Sequence, residues 1–268
     1  MRFPLSIALL LVMVSCATQP GSSRVPQPGD ADFPTEAHSD RHAQKVEQVR
    51  SGDFDLLMIG DSITHTVGEM PGDPYGPLKE VWERHFAPRK AINLGYSGFR
   101  TENILWNLEN GELEFRRSPK VAVLLIGTNN TDDRHFKTVH SAQQIFEGTQ
   151  AIVDLVRKRH PKTKIVILRI FPRGDDRQEG SKEYRGKVFH GSDACVQTAK
   201  EAGLLTRQLA NNRNVFWLDL NPVFLHPDGT IRIELMPDLL HPNKAGAEAW
   251  AQALEPMLTR LMGPSGTR

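Results

Sequence analysis

Leu56-Leu57-Met58-Ile59-Gly60-Asp61-Ser62-Ile63 decides how the rest of this chain is read. Four consecutive apolar residues are the pattern of a strand covered on both faces. They run into a Gly-Asp-Ser turn, and a serine at the tip of a buried strand is a natural nucleophile position. Alone, Gly-Asp-Ser is a weak signal, because such tripeptides also make ordinary turns. Its weight comes from what lies downstream.

Further apolar runs at 91–94, 121–126, 165–170 and 215–218 are nearly continuous in the same way, and helical patterns separate them. Ser141-Ala142-Gln143-Gln144 is a capping box. It opens a helix whose apolar stripe includes Ile145, Ile152, Leu155 and Val156. A last helix is predicted to start at Asn243 as N-cap and to bury Ala247, Trp250, Ala251, Leu254, Leu258 and Leu261, with Pro256 kinking it or loosening one turn. This alternation implies one α/β domain of three layers, with a parallel sheet and right-handed crossovers. It is expected to span 41–263, followed by a tail at 264–268.

In such a sheet, ligands bind at the carboxyl ends of the strands. Ser62 follows the first strand, Gly95 and Gly98 the second, and Asn129 the third, while Asp238-Leu239-Leu240-His241 precedes the final helix. Acyl transfer needs a nucleophile, a base, a group that orients the base, and donors for an oxyanion. Ser62, His241 and Asp238 supply the first three. The backbone N–H groups of Ser62 and Gly98, with the Asn129 side-chain amide, are candidate oxyanion donors. Each has a plainer reading: Gly98 as turn punctuation, Asn129 or Asn130 as a cap or Asx-turn, and Asp238 and His241 as a solvated loop. All of them on one edge, in this order, favour the site. His65 falls in the helix after Ser62, and His226-Pro227-Asp228-Gly229 reads as a turn.

Composition narrows the alternatives. A formal net charge of +1 over 268 residues argues against nucleic acid as a partner, which calls for a basic face. The densest basic run, Arg157-Lys158-Arg159-His160, suits a helix C-terminus. No HExxH, Cys cluster, GxGxxG or Walker loop is present, so neither a metal nor a nucleotide cofactor is indicated. The absence of GxSxG argues against an α/β-hydrolase elbow.

Residues 1–16 read as an export signal: Met1-Arg2, an apolar run from Phe3 to Val14, then small residues. Met13-Val14-Ser15-Cys16 resembles a lipobox with Met in place of the usual Leu. Lipidation of Cys16 is favoured over cleavage after Ala17, and this anchor is the only membrane contact expected. Residues 17–40 are read as a flexible linker. The mature chain then keeps Cys195 as its only ordinary thiol, a small core residue rather than a reactive one.

The four blocks Gly60-Asp61-Ser62-Ile63, Asn93 through Gly98, Gly127-Thr128-Asn129-Asn130 and Asp238-Leu239-Leu240-His241 resemble those of the SGNH, or GDSL-type, hydrolase family. Within it the chain is most similar to the platelet-activating-factor acetylhydrolase catalytic subunits, through Leu105-Trp106-Asn107-Leu108-Glu109-Asn110-Gly111-Glu112-Leu113, Phe171-Pro172-Arg173-Gly174 and His226-Pro227-Asp228-Gly229-Thr230-Ile231. The resemblance implies a flavodoxin-like five-stranded α/β/α sandwich and serine-based hydrolysis of short acyl esters without metal or cofactor. It also implies a triad of Ser62, Asp238 and His241, with Gly98 and Asn129 in the oxyanion hole. Two departures stand out. Phe99-Arg100 replaces a position where relatives carry an acidic residue, and segment 175–192 is longer and more polar than expected. The export signal turns the expected substrate toward an acetyl ester of a carbohydrate or cell-envelope alcohol. The alternatives are a lipid acylhydrolase or thioesterase, or a non-catalytic glycan-binding protein on the same fold.

Overall fold

The computed structural model describes residues 36–69, 78–183 and 186–265. The export signal at 1–16, Cys16 and linker residues 17–35 lie outside the described residues, as do 266–268 of the tail. Five strands form one parallel sheet: β1 (Leu56–Gly60), β2 (Ala91–Gly95), β3 (Val121–Leu125), β4 (Lys164–Leu168) and β5 (Val215–Leu218). Their order is β2-β1-β3-β4-β5, the flavodoxin-like arrangement. The order reverses at β1, so a crevice opens above the β1/β3 boundary. Ser62 stands at that boundary.

Alternate residues of each strand serve opposite layers. Leu56, Met58, Val121, Val123, Val166 and Leu168 face one cluster, with Val81 of α3 (Lys79–His85) and Ala247, Trp250 and Leu254 of α7 (Lys244–Met262). Leu57, Ile59, Ile92, Leu94, Ala122 and Leu124 face the other, with Ile104 of α4 (Thr101–Asn107) and Ile152 and Val156 of α5 (Ala142–Arg159). A buried side chain of this size contributes about 1.5–3 kcal/mol, so neither face of the sheet tolerates a polar run. α6 (Asp193–Leu205) packs beside α5 through Ala199, Ala202 and Ile145. Cys195 is buried in α6, where desolvation pushes its thiol up from the ordinary value.

Local signals act as expected at the helix ends. Ser141 Oγ accepts from Gln144 N at 3.2 Å and Gln144 Oε1 accepts from Ser141 N at 3.0 Å. Asn243 Oδ1 accepts from Gly246 N at 3.0 Å. The basic run closes α5. The turn at His226 is closed by Gly229 N donating to His226 O at 2.9 Å.

α7 runs as one helix from Lys244 to Met262 with Pro256 inside it. Lacking an N–H, Pro256 loosens one turn at the Gln252 carbonyl, and both residues lie on the exposed face, where water can satisfy that oxygen. One expectation is corrected. Residues 36–40, expected to end the flexible linker, instead begin α1 (Glu36–Ser51). This helix has almost no apolar stripe and docks through polar anchors. His38 Nε2 donates to Ser97 O at 2.9 Å, Arg41 reaches Gly95 O at 2.9 Å and Asn93 O at 3.1 Å, and His42 Nδ1 meets the buried Glu112 carboxylate at 2.8 Å.

Candidate active site

α2 (Ser62–Glu69) starts directly from the end of β1. Asp61 Oδ1 accepts from Ile63 N at 3.0 Å, an Asx-type bond that forces the sharp turn and begins the helix at the serine. Ser62 Oγ lies 2.9 Å from His241 Nε2, and His241 Nδ1 lies 2.6 Å from Asp238 Oδ2. An ionised carboxylate only accepts, so Nδ1 carries the proton and Nε2 is the acceptor for the serine hydroxyl. Asp238 is fixed in turn: its Oδ1 accepts from His241 N at 2.7 Å and Leu240 N at 3.1 Å. The turn between Asp238 and His241 places Leu239 at φ 63°, a left-handed conformation that is costly for leucine. Complete burial of its side chain and a 2.9 Å bond from Gly174 N to Leu239 O hold it there.

Gly98 lies at φ 78°, where a residue with a side chain would be strained. The loop carrying it is held on both sides: Ser97 O accepts from His38, and Ser97 N donates to His65 Nδ1 at 3.3 Å. Asn93 Nδ2 reaches Thr64 O at 2.8 Å and Val67 O at 2.9 Å, clamping β2 to α2. Asn129 Nδ2 donates to Phe99 O at 2.8 Å. That bond uses one of its two amide hydrogens and fixes the direction of the other. The structure therefore brings Ser62, Asp238 and His241 into one hydrogen-bonded relay. It also ties Asn129 to the residue after Gly98.

Several residues around this relay have partners that no sequence motif reveals. The loops bearing Gly98 and Asn129 are joined by a buried polar brace. Arg100 and Glu102, both inaccessible to solvent, are paired at 2.9 Å. Asn130 Oδ1 accepts from Thr101 N at 3.0 Å, and its Nδ2 reaches Glu102 Oε2 at 2.9 Å. Arg100 also donates to Thr138 O at 2.9 Å and to the His140 ring at 3.0 Å. Burial pushes the Glu102 carboxyl up from its ordinary value, against the pull of Arg100. Arg100, a departure from the resembled family pattern, is thus an internal brace. A second buried pair, Arg173 with Asp132 at 2.9 Å, lies behind the relay. Burial opposes ionisation of Asp132, but Arg173 and His135 outweigh it and hold the carboxyl below its ordinary value.

Asp61 is the most perturbed acid near the relay. Burial pushes it up to about 7, with Ile63 N–H and the charge of His241 pulling the other way. Phe189, from segment 175–192, packs nearly perpendicular to His241, with ring centroids 5.1 Å apart. A cavity of about 500 Å³ opens beside β4 and α6, lined by Arg169, Arg173, Gly174, Lys200 and Asn221 among others. None of the relay residues lines it, so the chemistry of the site is read from the relay and not from that hollow.

The GDSL-like Lipase/Acylhydrolase family model matches residues 58–249, from within β1 to within α7. The chain belongs to that family. It is 32% identical over 221 residues to platelet-activating factor acetylhydrolase IB subunit alpha1 of Bos taurus, covering 82% of each chain. Among solved structures it resembles a GDSL-like lipase from Bacteroides thetaiotaomicron, with a TM-score of 0.63 at 15% identity, covering 84% of this chain and 98% of the other. It also resembles an acetylxylan esterase from Geobacillus stearothermophilus, with a TM-score of 0.54 at 21% identity, covering 82% and 99%. The structural matches speak for the shared fold, and the family match makes the chain a GDSL-type ester hydrolase.

Proposed function

We propose that this family member is a serine esterase that removes short acyl groups, chiefly acetyl, from a carbohydrate or related cell-envelope alcohol. Ser62 Oγ attacks the ester carbonyl while His241 Nε2 takes its proton. The tetrahedral oxyanion is met by the N–H groups of Ser62 and Gly98 and by the second amide hydrogen of Asn129. Collapse breaks the ester C–O bond, and His241 returns the proton to the departing alkoxide. Water then repeats the sequence on the acyl-serine and releases the acid. Asp238 keeps the imidazole in the required tautomer and stabilises its protonated form.

The observation carrying this reading is the relay of 2.9 Å and 2.6 Å from Ser62 through His241 to Asp238. Preference for acetyl is supported by the names of two relatives, an acetylhydrolase and an acetylxylan esterase. Preference for an envelope or carbohydrate alcohol rests on residues 1–16, which we read as directing export with lipidation at Cys16. Mass spectrometry of the mature N-terminus tests that address: a lipid-modified Cys16 at the start supports it, and an unmodified chain beginning at Thr18 contradicts the anchor.

The 32% identity to the platelet-activating factor acetylhydrolase subunit favours a second reading, an acetylated phospholipid as substrate. The two separate in one screen of kcat/KM across acetylated xylo-oligosaccharides, O-acetyl sialic acid, a 2-acetyl glycerophospholipid and acetyl thioesters. A sugar acetate is expected to give the highest value. A highest value for the phospholipid or the thioester would overturn the carbohydrate assignment.

A further inference from the structure

Segment 175–192 is polar in composition, yet one of its residues reaches the relay. Arg177, Glu179, Lys182 and Glu183 are exposed, whereas Phe189 is half-buried, with its ring against His241. This placement is held from several sides. Phe189 O accepts from Arg173 Nε at 2.8 Å. Arg173 is itself buried and paired with Asp132. Asp175 and Gly191 form a β-bridge at the neck of the segment. Lys182 N donates to Pro237 O at 2.7 Å, one residue before Asp238. Gln178 makes two bonds to the Ile231 backbone, at 2.6 and 2.9 Å. A surface loop without a task would not need to carry an aromatic ring to the base.

His135 completes the wall. Its ring stacks on Phe189 at 4.9 Å between centroids and 19° between planes. Asp132 accepts from His135 Nδ1 at 2.9 Å, which leaves Nε2 as the second polar atom of that ring, able to accept from a hydroxyl. One buried hub, Asp132 with Arg173, therefore sets both rings.

Acyl transfer fixes what must lie beside this wall. When the ester C–O bond breaks, the proton on His241 Nε2 goes to the alkoxide oxygen. That oxygen must come within about 2.6–3.2 Å of Nε2. The carbon skeleton attached to it then extends over the His241 side of the site, where Phe189 stands. Resting on the acyl-transfer reading above, we propose that Phe189 is the surface against which the ring of the leaving alcohol lies. The preferred leaving groups are accordingly cyclic alcohols such as pyranosides, with His135 Nε2 accepting from a ring hydroxyl. An apolar ring flanked by a hydrogen-bond acceptor suits the mixed C–H and O–H surface of a sugar. It has little to offer a short linear alcohol.

The test compares kcat/KM for three acetyl esters: ethyl acetate, cyclohexyl acetate and a mono-acetylated methyl xyloside. Intact enzyme is set against Phe189→Ala, Phe189→Leu and Phe189→Trp, each checked for an unchanged melting transition. For Phe189→Ala the cyclohexyl-to-ethyl ratio of kcat/KM is expected to fall on the order of tenfold, the size of an aromatic contact. Phe189→Trp should keep the ratio and Phe189→Leu should fall between. An unchanged ratio, whether both esters slow together or neither does, would overturn the proposal, because Phe189 would then only steady His241 or do nothing. The xyloside separates this from the broader reading: failure of intact enzyme to cleave it while cleaving cyclohexyl acetate removes the carbohydrate assignment and leaves the ring contact standing.

Discussion

Glu102→Gln probes the brace between the two oxyanion loops. Arg100 and Glu102 are both fully buried and 2.9 Å apart. Removing the carboxylate charge leaves the buried guanidinium without its facing anion, against Thr138 O, the His140 ring and the face of Phe136. Breaking a buried pair by deleting one partner costs about 3–5 kcal/mol, because the surviving charge is uncompensated. In a domain of this size that corresponds to a fall in Tm of about 6–20 °C. Asn130 also loses a charged acceptor at 2.9 Å, so the loops bearing Gly98 and Asn129 loosen relative to each other. A drop in kcat on the order of tenfold is expected, smaller than the 100-fold or more of losing a donor outright, with KM changed little. Urea denaturation followed by circular dichroism, alongside steady-state kinetics on 4-nitrophenyl acetate, measures both effects. The double variant Arg100→Met/Glu102→Leu removes both charges and should recover most of the lost stability. A loss below about 1 kcal/mol for Glu102→Gln, with kcat intact, would refute the brace.

Three further outcomes follow from the same geometry. Asn129→Ala should bind substrate normally and lose kcat by 100-fold or more, as for an oxyanion donor; an equal rise in KM with kcat retained would make it a ground-state contact instead. Gly95→Ala places a Cβ 2.4 Å from the backbone nitrogen of His65, so α2 must shift; overpacking of this kind costs about 1–3 kcal/mol, and kcat should fall because Ser62 moves with the helix. Asp61 titrates near 7 in the fold against an ordinary 3.8. A raised folded value favours the protonated form, so this stabilisation is complete below about pH 3.8 and is lost as pH rises through 7. Asp61→Asn, which imitates the protonated state, should flatten the loss expected of wild type between about pH 4 and 7, by up to a few kcal/mol in unfolding free energy from denaturation curves; parallel pH profiles for the two proteins would contradict the burial of that carboxyl.

The strands were legible because helices cover both faces of the sheet, which turns each strand into a nearly continuous apolar run that needs no partner to be recognised. The candidate relay was legible for a related reason: in a parallel sheet, residues just after strands share one edge, so order along the chain already implies proximity. α1 was not legible. It docks largely by His38, Arg41 and His42, with Val49 as its fully buried apolar residue, so its helical period leaves little trace in hydropathy. Arg100 stood out only as a departure from the family pattern, because its partners Thr138 and His140 come from another loop. Their pairing depends on which loops the sheet brings together. Phe189 lies in a polar stretch with no periodicity to mark it, and only the folded chain reveals that Arg173 carries its backbone to His241. Arg173 itself sat within a recognised motif, but its ion pair with Asp132 depends on two strand ends meeting.

The most direct test of the central claim is the site of covalent modification by a fluorophosphonate, read by peptide mass spectrometry on intact enzyme, Ser62→Ala and His241→Ala. One adduct on Ser62 is expected in the intact enzyme, none in Ser62→Ala, and labelling slowed on the order of 100-fold or more when the base at 2.9 Å is removed. An adduct on another residue, or unchanged labelling of the Ser62→Ala protein, would contradict the assignment of Ser62 as the nucleophile.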